Sequence, residues 1–590
     1  MTNQEIAKLL REVAASYVIQ DDKKYRFQIV AYNNAADSIN SETTQIKDLV
    51  KENKLDTLAG IGSSIKSHLE ELIKTGRVKH FDSIKKSIPE AVFPLLDIPT
   101  FGPKKAYKLV TQFHLKNPDT VVQDIKRIAE EGKIASVPGF GEKSQQDILR
   151  AVEEFKLGIA KTVRMVLPYA YEIADKMLSY LRSCEDVIQA EPLGSLRRMA
   201  STVGDIDIAI STNKPEKVIS HFVNYPYKER IIEKGDTSAS ILVSGGKQID
   251  LMAQPPQRFG SLLQHFTGNK NHNVHLREYA LKKGLSLSER GIKRQMANEK
   301  LKMENYATEK EFYNALGLDW IPQEIREDTG EIELASVHKL PALVELKDIK
   351  GDLHIHSSFP IQPSHDLGQD KIEEMLKVAS KLKYEYLGFS EHNPSISKHN
   401  SSQIYTIISK RNEYIEQITQ SIKSVRIIKL LEIDILTNGE LAVDNKSLDL
   451  LDGAIVSIHS SFKMGKNELT KRVLQGLSHP KAKILAHPTG RMLNERPGYE
   501  LDFDKIFDFC VKNNKALEIN AWPNRLDLPD TLVREAIKYG VKFVVDTDSH
   551  ASWQMNLMRY GVAVARRGWA QKDDILNTLS YNQFIKWLRG

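Results

Sequence analysis

The stretch Leu193-Gly194-Ser195-Leu196-Arg197-Arg198, continued by Gly204-Asp205-Ile206-Asp207-Ile208-Ala209-Ile210, decides how the rest of the chain is read. It reads as a strand carrying a metal site. Side chains alternate across a strand, so Asp205 and Asp207 share one face while Ile206, Ile208 and Ile210 face a core. Two neighbouring carboxylates repel unless a cation lies between them, and hard oxygen ligands suit Mg²⁺ or Mn²⁺. A second alternating run, Ile241-Leu242-Val243 and then Gly245-Gly246-Lys247-Gln248-Ile249-Asp250-Leu251, turns Asp250 to the same side. Three acids on neighbouring strands make a two-metal site for in-line displacement. Gly194, Ser195 and Arg198 add a close backbone approach, a hydroxyl and a guanidinium, the parts that hold a triphosphate. A plain hairpin with solvent-facing acids would account for the Asp-x-Asp, but not for the Gly-Ser, the arginine and the third acid in order.

The chain has 590 residues, 27% charged and 41% hydrophobic, with a net charge of +6 and a pI near 8.8. Several domains are expected at this length. Nothing reads as a membrane span or a signal peptide, so a cytoplasmic protein is expected. Only Cys184 and Cys510 are present, which excludes a disulfide framework and a cysteine zinc site. The basic balance is compatible with a polyanion partner without demanding one.

Apolar residues from Ile6 to Ile39 recur at helical spacing. Then follow three hydrophobic-Gly turns between helices: Gly60 and Gly62 in Leu58-Ala59-Gly60-Ile61-Gly62, Gly102 with Lys104 in Ile98-Pro99-Thr100-Phe101-Gly102-Pro103-Lys104, and Gly139 and Gly141 in Val137-Pro138-Gly139-Phe140-Gly141. Glycine allows the tight turn, and the amides opening the next helix can hold a phosphate oxygen. One such turn could be a simple corner. Three in one region read as helix-hairpin-helix motifs tracking a DNA backbone. Helical patterning from Leu157 to Leu181 carries Arg164 and leads to the acids. Beyond them, Lys282-Lys283, Arg290, Lys293-Arg294, Lys300 and Lys302 give a basic surface.

After about Asp328 a new pattern begins, in which short apolar runs end in a ligand type. These runs are Gly351 to His356, Tyr386 to His392, Ile427 to Asp434, Ala454 to His459, Ile484 to Pro488, Ala516 to Asn520 and Phe543 to His550. Amphipathic helical stretches separate them, which implies βα units and a parallel sheet whose strand ends gather at one mouth. That converges His354, His356, His392, Glu432, His459, His487, Asp548 and His550. A lone strand-end histidine is usually structural, but seven successive strands ending this way indicate a metal cluster.

Gly-Ser-x-x-Arg followed by Gly-Asp-x-Asp resembles the nucleotidyltransferase signature of the X-family DNA polymerases, and the strand-end histidines resemble the PHP (polymerase and histidinol phosphatase) domain. Their coupling is similar to the bacterial and archaeal family X polymerases with a C-terminal PHP domain, and it covers nearly the whole chain. The resemblance implies a multidomain α/β protein with these parts: a helical N-terminal domain over 1–85, fingers over 86–155, a mixed-sheet palm over 156–260, an α/β thumb over 261–327, a linker over 328–349, and a distorted (βα)7 barrel over 350–590. It implies template-directed filling of short gaps with deoxynucleotides, and a 3′→5′ exonuclease or 3′-end phosphatase using up to three Mn²⁺, Zn²⁺ or Fe ions.

By the same resemblance Asp205 and Asp207 hold both palm metals and Asp250 the catalytic one. Gly204, Phe266, Gly268 and Asn273 serve the nucleotide, Arg164 adds a triphosphate contact and Arg277 touches the template. His265 stands where a tyrosine is usual, so exclusion of ribonucleotides does not follow. His68 stands at the place of a lyase lysine and Ser64 at that of a phosphate-binding lysine, so strong lyase activity is not expected, with Lys66 nearby. In the barrel the third ligand is Asp366, with His365 as a rival; Glu391 replaces the usual aspartate before His392; Arg491 is the candidate for substrate phosphate; and Arg566-Arg567-Gly568-Trp569 matches the closing segment. Gapped or primer-template DNA and deoxynucleotides are the expected partners of a monomer. Two other readings stand beside this one: a weakly templated or ribonucleotide-adding transferase, and a DNA-binding protein whose barrel is a small-molecule phosphatase.

Overall fold

The computed structural model describes residues 1, 3–41, 46–51, 55, 61–98, 101–156, 164–243, 247–295, 301–494, 496 and 498–590. The chain divides into two compact units, Met1–Thr162 and Val163–Gly590. Gly60, Pro99, Thr100, Gly245, Gly246, Lys300 and the start of the expected helix at Leu157 lie outside the described residues.

The first unit is helical. α1 (Asn3–Asp21) packs on α2 (Arg26–Ser41), and α3 (Ser63–Thr75), α4 (Pro103–Gln112) and α5 (Glu142–Lys156) each begin directly after a hairpin glycine. Gly62 and Gly102 cap α3 and α4 without a side-chain hydrogen bond, which leaves first-turn amides turned outward. The second and third hairpins share one turn: the Phe101 N–H donates to the Ile98 carbonyl at 3.2 Å, and the Phe140 N–H to the Val137 carbonyl at 2.9 Å.

The second unit opens with β1 (Met165–Val166) and α6 (Leu167–Arg182). Then come β2 (Gln189–Pro192), β3 (Thr202–Val203), β4 (Ile206–Ser211), α7 (Pro215–Val223), β5 (Lys228–Lys234), β6 (Ser238–Val243) and β7 (Lys247–Gln254). The palm sheet has the order β2-β4-β7-β6-β5, mixed because β4 and β7 run parallel and the other pairs antiparallel. Ile206, Ile208 and Ile210 are fully buried in one core with Val218 and Phe222 of α7, as period-two alternation requires. Ala209, on the other face, packs under Phe259 and Leu262.

The thumb follows with α8 (Phe259–Thr267), α9 (Lys270–Leu281), a meander of β8 (Leu285–Ser288), β9 (Gly291–Gln295) and β10 (Leu301–Glu304), and α10 (Glu309–Ala315). A side chain on Gly260 would stand 2.2 Å from the backbone of Thr308, so α8 lies directly on the start of α10. Residues 328–349, expected as a linker, are folded: Glu331–Ser336 is helical, and Glu331 lies buried 2.6 Å from His272 Nδ1.

The barrel strands are β11 (Gly351–Ile355), β12 (Tyr386–Phe389), β13 (Arg426–Lys429), β14 (Glu432–Asp434), β15 (Ala454–Ser457), β16 (Ala482–Leu485), β17 (Ala516–Asn520) and β18 (Lys542–Asp546), all parallel. β13 and β14 are one strand interrupted at Leu430-Leu431, and parallel bridges at His392–Glu432 and Ile355–Ser549 join the two sheets into a seven-stranded ring. Ile428, Leu430, Ile455, Ile484, Ala516 and Val544 cluster with Phe584 and Leu588 of the C-terminal helix. Two or four positions further along the same strand faces come Glu432, His459, Glu518 and Asp548, so the interior changes from apolar at the plugged end to ligand-bearing at the mouth.

Candidate active sites

In the palm, Asp207 stands opposite Asp250 in the parallel register of β4 and β7. Burial, then the Asp250 and Asp205 charges, push Asp207 up to about 6, the mark of carboxylates crowded together. The all-oxygen donor set fits a hard divalent ion that relieves this repulsion. Gln248 Nε2 donates to both oxygens of Asp250, at 2.9 and 3.1 Å.

The structure departs from the expected strand in two places and from the expected helix in one. β4 begins at Ile206, so Asp205 precedes it and is exposed; Gly194–Arg197 forms one helical turn; and Arg164 lies ahead of β1 and not on a helix. The turn follows from Gly194, whose φ of +57 suits glycine and whose added Cβ would stand 3.2 Å from Asp207 Oδ2. Ser195 is the second residue of that turn, and Gly204 sits against Arg164, whose Nη1 would lie 3.3 Å from a Cβ there. The Arg164 side chain donates to Thr202 and is drawn by the charge of Asp205.

Arg198, expected on triphosphate, gives Nε to Glu327 at 2.8 Å and Nη1 to the Thr267 carbonyl at 2.8 Å. The neighbouring Arg197 joins Glu309 at 2.7 Å, and Glu309 also takes buried Arg326, an ion cluster the sequence reading missed. In the thumb, Gly268 breaks the helix between α8 and α9, and a Cβ there would collide with His272 and Asn273. The Asn273 amide donates to the carbonyls of His265 and Gly268 at 2.9 and 3.0 Å, so it staples the break. Phe266 lies edge-on to His265, with ring centroids 4.7 Å apart, and Arg277 is exposed.

The hairpin residues Gly62, Gly102, Gly139 and Gly141 sit at their turns, with Gly139 at φ +83, and Lys104 pairs with Asp22 at 2.8 Å. His68 is stacked on His80 at 4.8 Å and lies 2.9 Å from the Tyr32 hydroxyl. Its place holds an imidazole in an aromatic cluster and no amine.

The barrel cage centres on buried Glu432. One of its oxygens lies 3.2 Å from His459 Nε2 and 2.9 Å from His487 Nε2; the other lies 3.2 Å from His354 Nε2, 3.0 Å from His392 Nδ1 and 3.7 Å from His356 Nε2. Asp548 Oδ1 is 3.2 Å from His356, and Asp366 spans His392 at 3.1 Å and His550 at 3.2 Å. Among the described residues, four triads can hold an ion: His356-His392-His550, His365-His392-His459, His354-His356-Glu432 and Glu432-His459-His487. Asp366 and His365 thus both reach the cage.

Nε2 of His354, both ring nitrogens of His356, Nδ1 of His392, Oε2 of Glu432 and Nε2 of His550 are buried without a hydrogen-bond partner, which fits cations between them. Burial pushes His356 down to about 3, while Glu432 and Asp366 outweigh burial at His392 and push it up to about 10. His487 and Asp548 have positive φ, a strain concentrated at functional positions. Gly368 seats the loop bearing His365 and Asp366: an added Cβ would stand 1.9 Å from the His356 carbonyl oxygen.

Sequence reasoning missed the residues behind the cage. Glu518 Oε1 lies 2.6 Å from His354 Nδ1, and Asp434 Oδ1 lies 2.7 Å from His459 Nδ1 and 3.1 Å from His365 Nε2. Asp434 ended a strand run and Glu518 stood within one, which was the available signal. Glu391 is turned away onto Arg411 and Ser357. The Arg491 guanidinium, expected on substrate phosphate, donates to the carbonyls of Arg525, at 2.8 Å, and Leu526, and reaches Ser201 of the palm at 3.5 Å. Arg525, with Nε 3.9 Å from Asp548 Oδ2, is the arginine beside the cage.

A mixed-sheet palm with paired acids and a barrel with a histidine-carboxylate cage define a nucleotidyltransferase core joined to a phosphoesterase barrel. Family models described as helix-hairpin-helix domain, DNA polymerase beta thumb and PHP domain match residues 1–78, 262–327 and 352–521. The chain is 32% identical over 591 residues, spanning 100% of both, to the DNA polymerase/3'-5' exonuclease PolX of Bacillus subtilis. Over 212 residues, 35% of this chain and 80% of the relative, it is 27% identical to a probable phosphatase of Acetivibrio thermocellus. The chain belongs to the family X DNA polymerases that carry a PHP domain.

Proposed function

We propose that this enzyme fills short DNA gaps at the palm and shortens or cleans 3′ ends at the barrel, so that one chain prepares a terminus and extends it. The observation that carries this reading is the Asp207–Asp250 register in the same compact unit as the Glu432 cage.

For nucleotide addition, Asp205, Asp207 and Asp250 would hold Mg²⁺ or Mn²⁺, which supply charge neutralisation around the transferring phosphate. Asp250 takes the proton of the primer 3′-hydroxyl. Ser195, the Gly194 turn and Arg198 orient the triphosphate, and Arg164 adds positive charge beside Asp205. Gly62, Gly102, Gly139 and Gly141 present helix-opening amides to DNA phosphates, and Arg277 faces the template.

In the barrel, the ring of His354, His356, Asp366, His392, Glu432, His459, His487, Asp548 and His550 would hold Mn²⁺, Zn²⁺ or Fe ions, which supply an activated water and charge stabilisation. Glu518 keeps the proton on His354 Nδ1 and so turns Nε2 to the cage; Asp434 does the same for His459. Arg525 neutralises an incoming phosphate at the mouth. Among the described residues, no helix is long and apolar enough to cross a membrane.

The test is a gapped duplex with labelled primer and Mn²⁺, with and without deoxynucleotides, on the wild type and on His354→Ala/His356→Ala. Extension by both proteins and shortening by the wild type alone are expected. The probable phosphatase relatives, which match 35% and 27% of this chain, favour a second reading, in which the barrel hydrolyses small phosphate esters. Extension without shortening, together with release of phosphate from such esters, would select it.

A further inference from the structure

Four side chains of alternating charge run from the barrel into the palm: Asp530, Arg567, Glu327 and Arg198. Arg567 ends the barrel helix Met558–Arg567 and gives Nε to Asp530 at 2.8 Å. Its Nη1 donates to Glu327 Oε1 at 2.8 Å and to the backbone carbonyl of Arg198 at 2.9 Å. The same Glu327 oxygen accepts Arg198 Nε, while Oε2 accepts the Asn269 side-chain amide at 2.6 Å. Burial would push Glu327 up, but Arg567 and Arg198 outweigh it and hold the carboxyl at about 2.

With Nε on Glu327 and Nη1 on the Thr267 carbonyl, Arg198 has Nη2 as the nitrogen without a hydrogen bond among the described residues. A guanidinium held at Nε and Nη1 presents Nη2 in a fixed direction, and that preorganisation is what anion recognition needs. Two more barrel contacts reach the same palm region. Asn494 Nδ2 donates to the Arg164 carbonyl at 2.6 Å, and Arg491 Nη2 reaches Ser201 Oγ at 3.5 Å.

We propose that Arg567 is a positioning residue for nucleotide addition. By sharing Glu327 with Arg198 it keeps that arginine from closing Nη2 as well as Nε on the carboxylate, so the barrel completes the nucleotide pocket of the palm. Removal of Arg567 leaves half-buried Glu327 with one cation, and the carboxylate then captures Arg198 more fully. The inference rests on the reading of Arg198 as a triphosphate residue.

Single-nucleotide gap filling on the full chain, with 3′ shortening measured in parallel, tests it on Arg567→Met, Arg567→Lys, Arg198→Ala and the Arg198→Ala/Arg567→Met pair. The expected result for Arg567→Met is a KM for deoxynucleotide raised about tenfold, with kcat within about twofold and shortening unchanged. Arg567→Lys recovers part of the KM, and the pair is no worse than Arg198→Ala alone. An unchanged KM in Arg567→Met beside a raised KM in Arg198→Ala overturns the inference and leaves the reading of Arg198 standing. An unchanged KM in Arg198→Ala instead overturns that reading, and the inference with it. Additive losses in the pair, or a joint fall of both activities and of the melting temperature that Arg567→Lys corrects together, make Arg567 a residue of the fold alone and overturn the proposal.

Discussion

The palm acids and the barrel cage are two ways of preparing a place for metal ions. In the palm, Asp205 is exposed, Asp207 and Asp250 are half-buried, and one neutral side chain, Gln248, braces Asp250. In the barrel, His354, His356, Glu432 and His487 are buried and interlocked, with Glu518 and Asp434 fixing imidazoles from behind. An open group of acids suits ions that arrive with a triphosphate and leave with pyrophosphate, whereas a closed cage suits ions that stay.

The largest expected effect separates the two sites outright. Asp250→Ala lowers primer extension by about a thousandfold or more while 3′ shortening persists; loss of both would show that the sites are not independent. The next test concerns residence of the ions. After chelation and desalting, Mg²⁺ restores extension on mixing, whereas shortening returns over a longer incubation with Mn²⁺ or Zn²⁺; equal recovery times would erase the contrast. A smaller effect comes from behind the cage, where Glu518→Gln weakens metal retention about 10- to 100-fold, measured as bound metal after dialysis, with extension unaltered.

The smallest effect concerns stability. Burial raises Glu309, but Arg326 and Arg197 outweigh it and hold the carboxyl at about 2, below its ordinary 4.5. A carboxyl depressed in this way stabilises the fold above pH 4.5, and the contribution is lost as pH falls towards 2. Glu309→Gln therefore costs about 3 kcal/mol at neutral pH and removes that part of the acid dependence, read from denaturant midpoints across pH.

Local periodicity made the main elements legible. Alternation separated Ile206, Ile208 and Ile210 from Asp207, and apolar runs ending in histidine or acid located the cage ligands that the fold brings together. The one-turn helix at Gly194 was hidden because four residues carry no period and the turn depends on a left-handed glycine beside Asp207. Glu518 and Asp434 stood in the quoted runs, but spacing alone does not say which residue binds an ion and which orients a histidine. The contacts of Arg491 were hidden because its direction is set by backbone acceptors at 525 and 526 and by the palm. The pairing of Arg567 with Glu327, separated by 240 positions, is a property of the assembled domains and of no local pattern.

Gly368 bears on how sequence variants of this chain should be sorted. Its missing side chain leaves room for the carbonyl of His356, so a single methyl group there unseats the loop carrying His365 and Asp366. A Gly368→Ala allele would keep every ion-binding group in its genotype and still lose the trimming phenotype. Variants that retain all the histidines and acids but carry a side chain at this position are therefore expected to lack trimming, and the glycine belongs among the positions by which an intact trimming module is recognised.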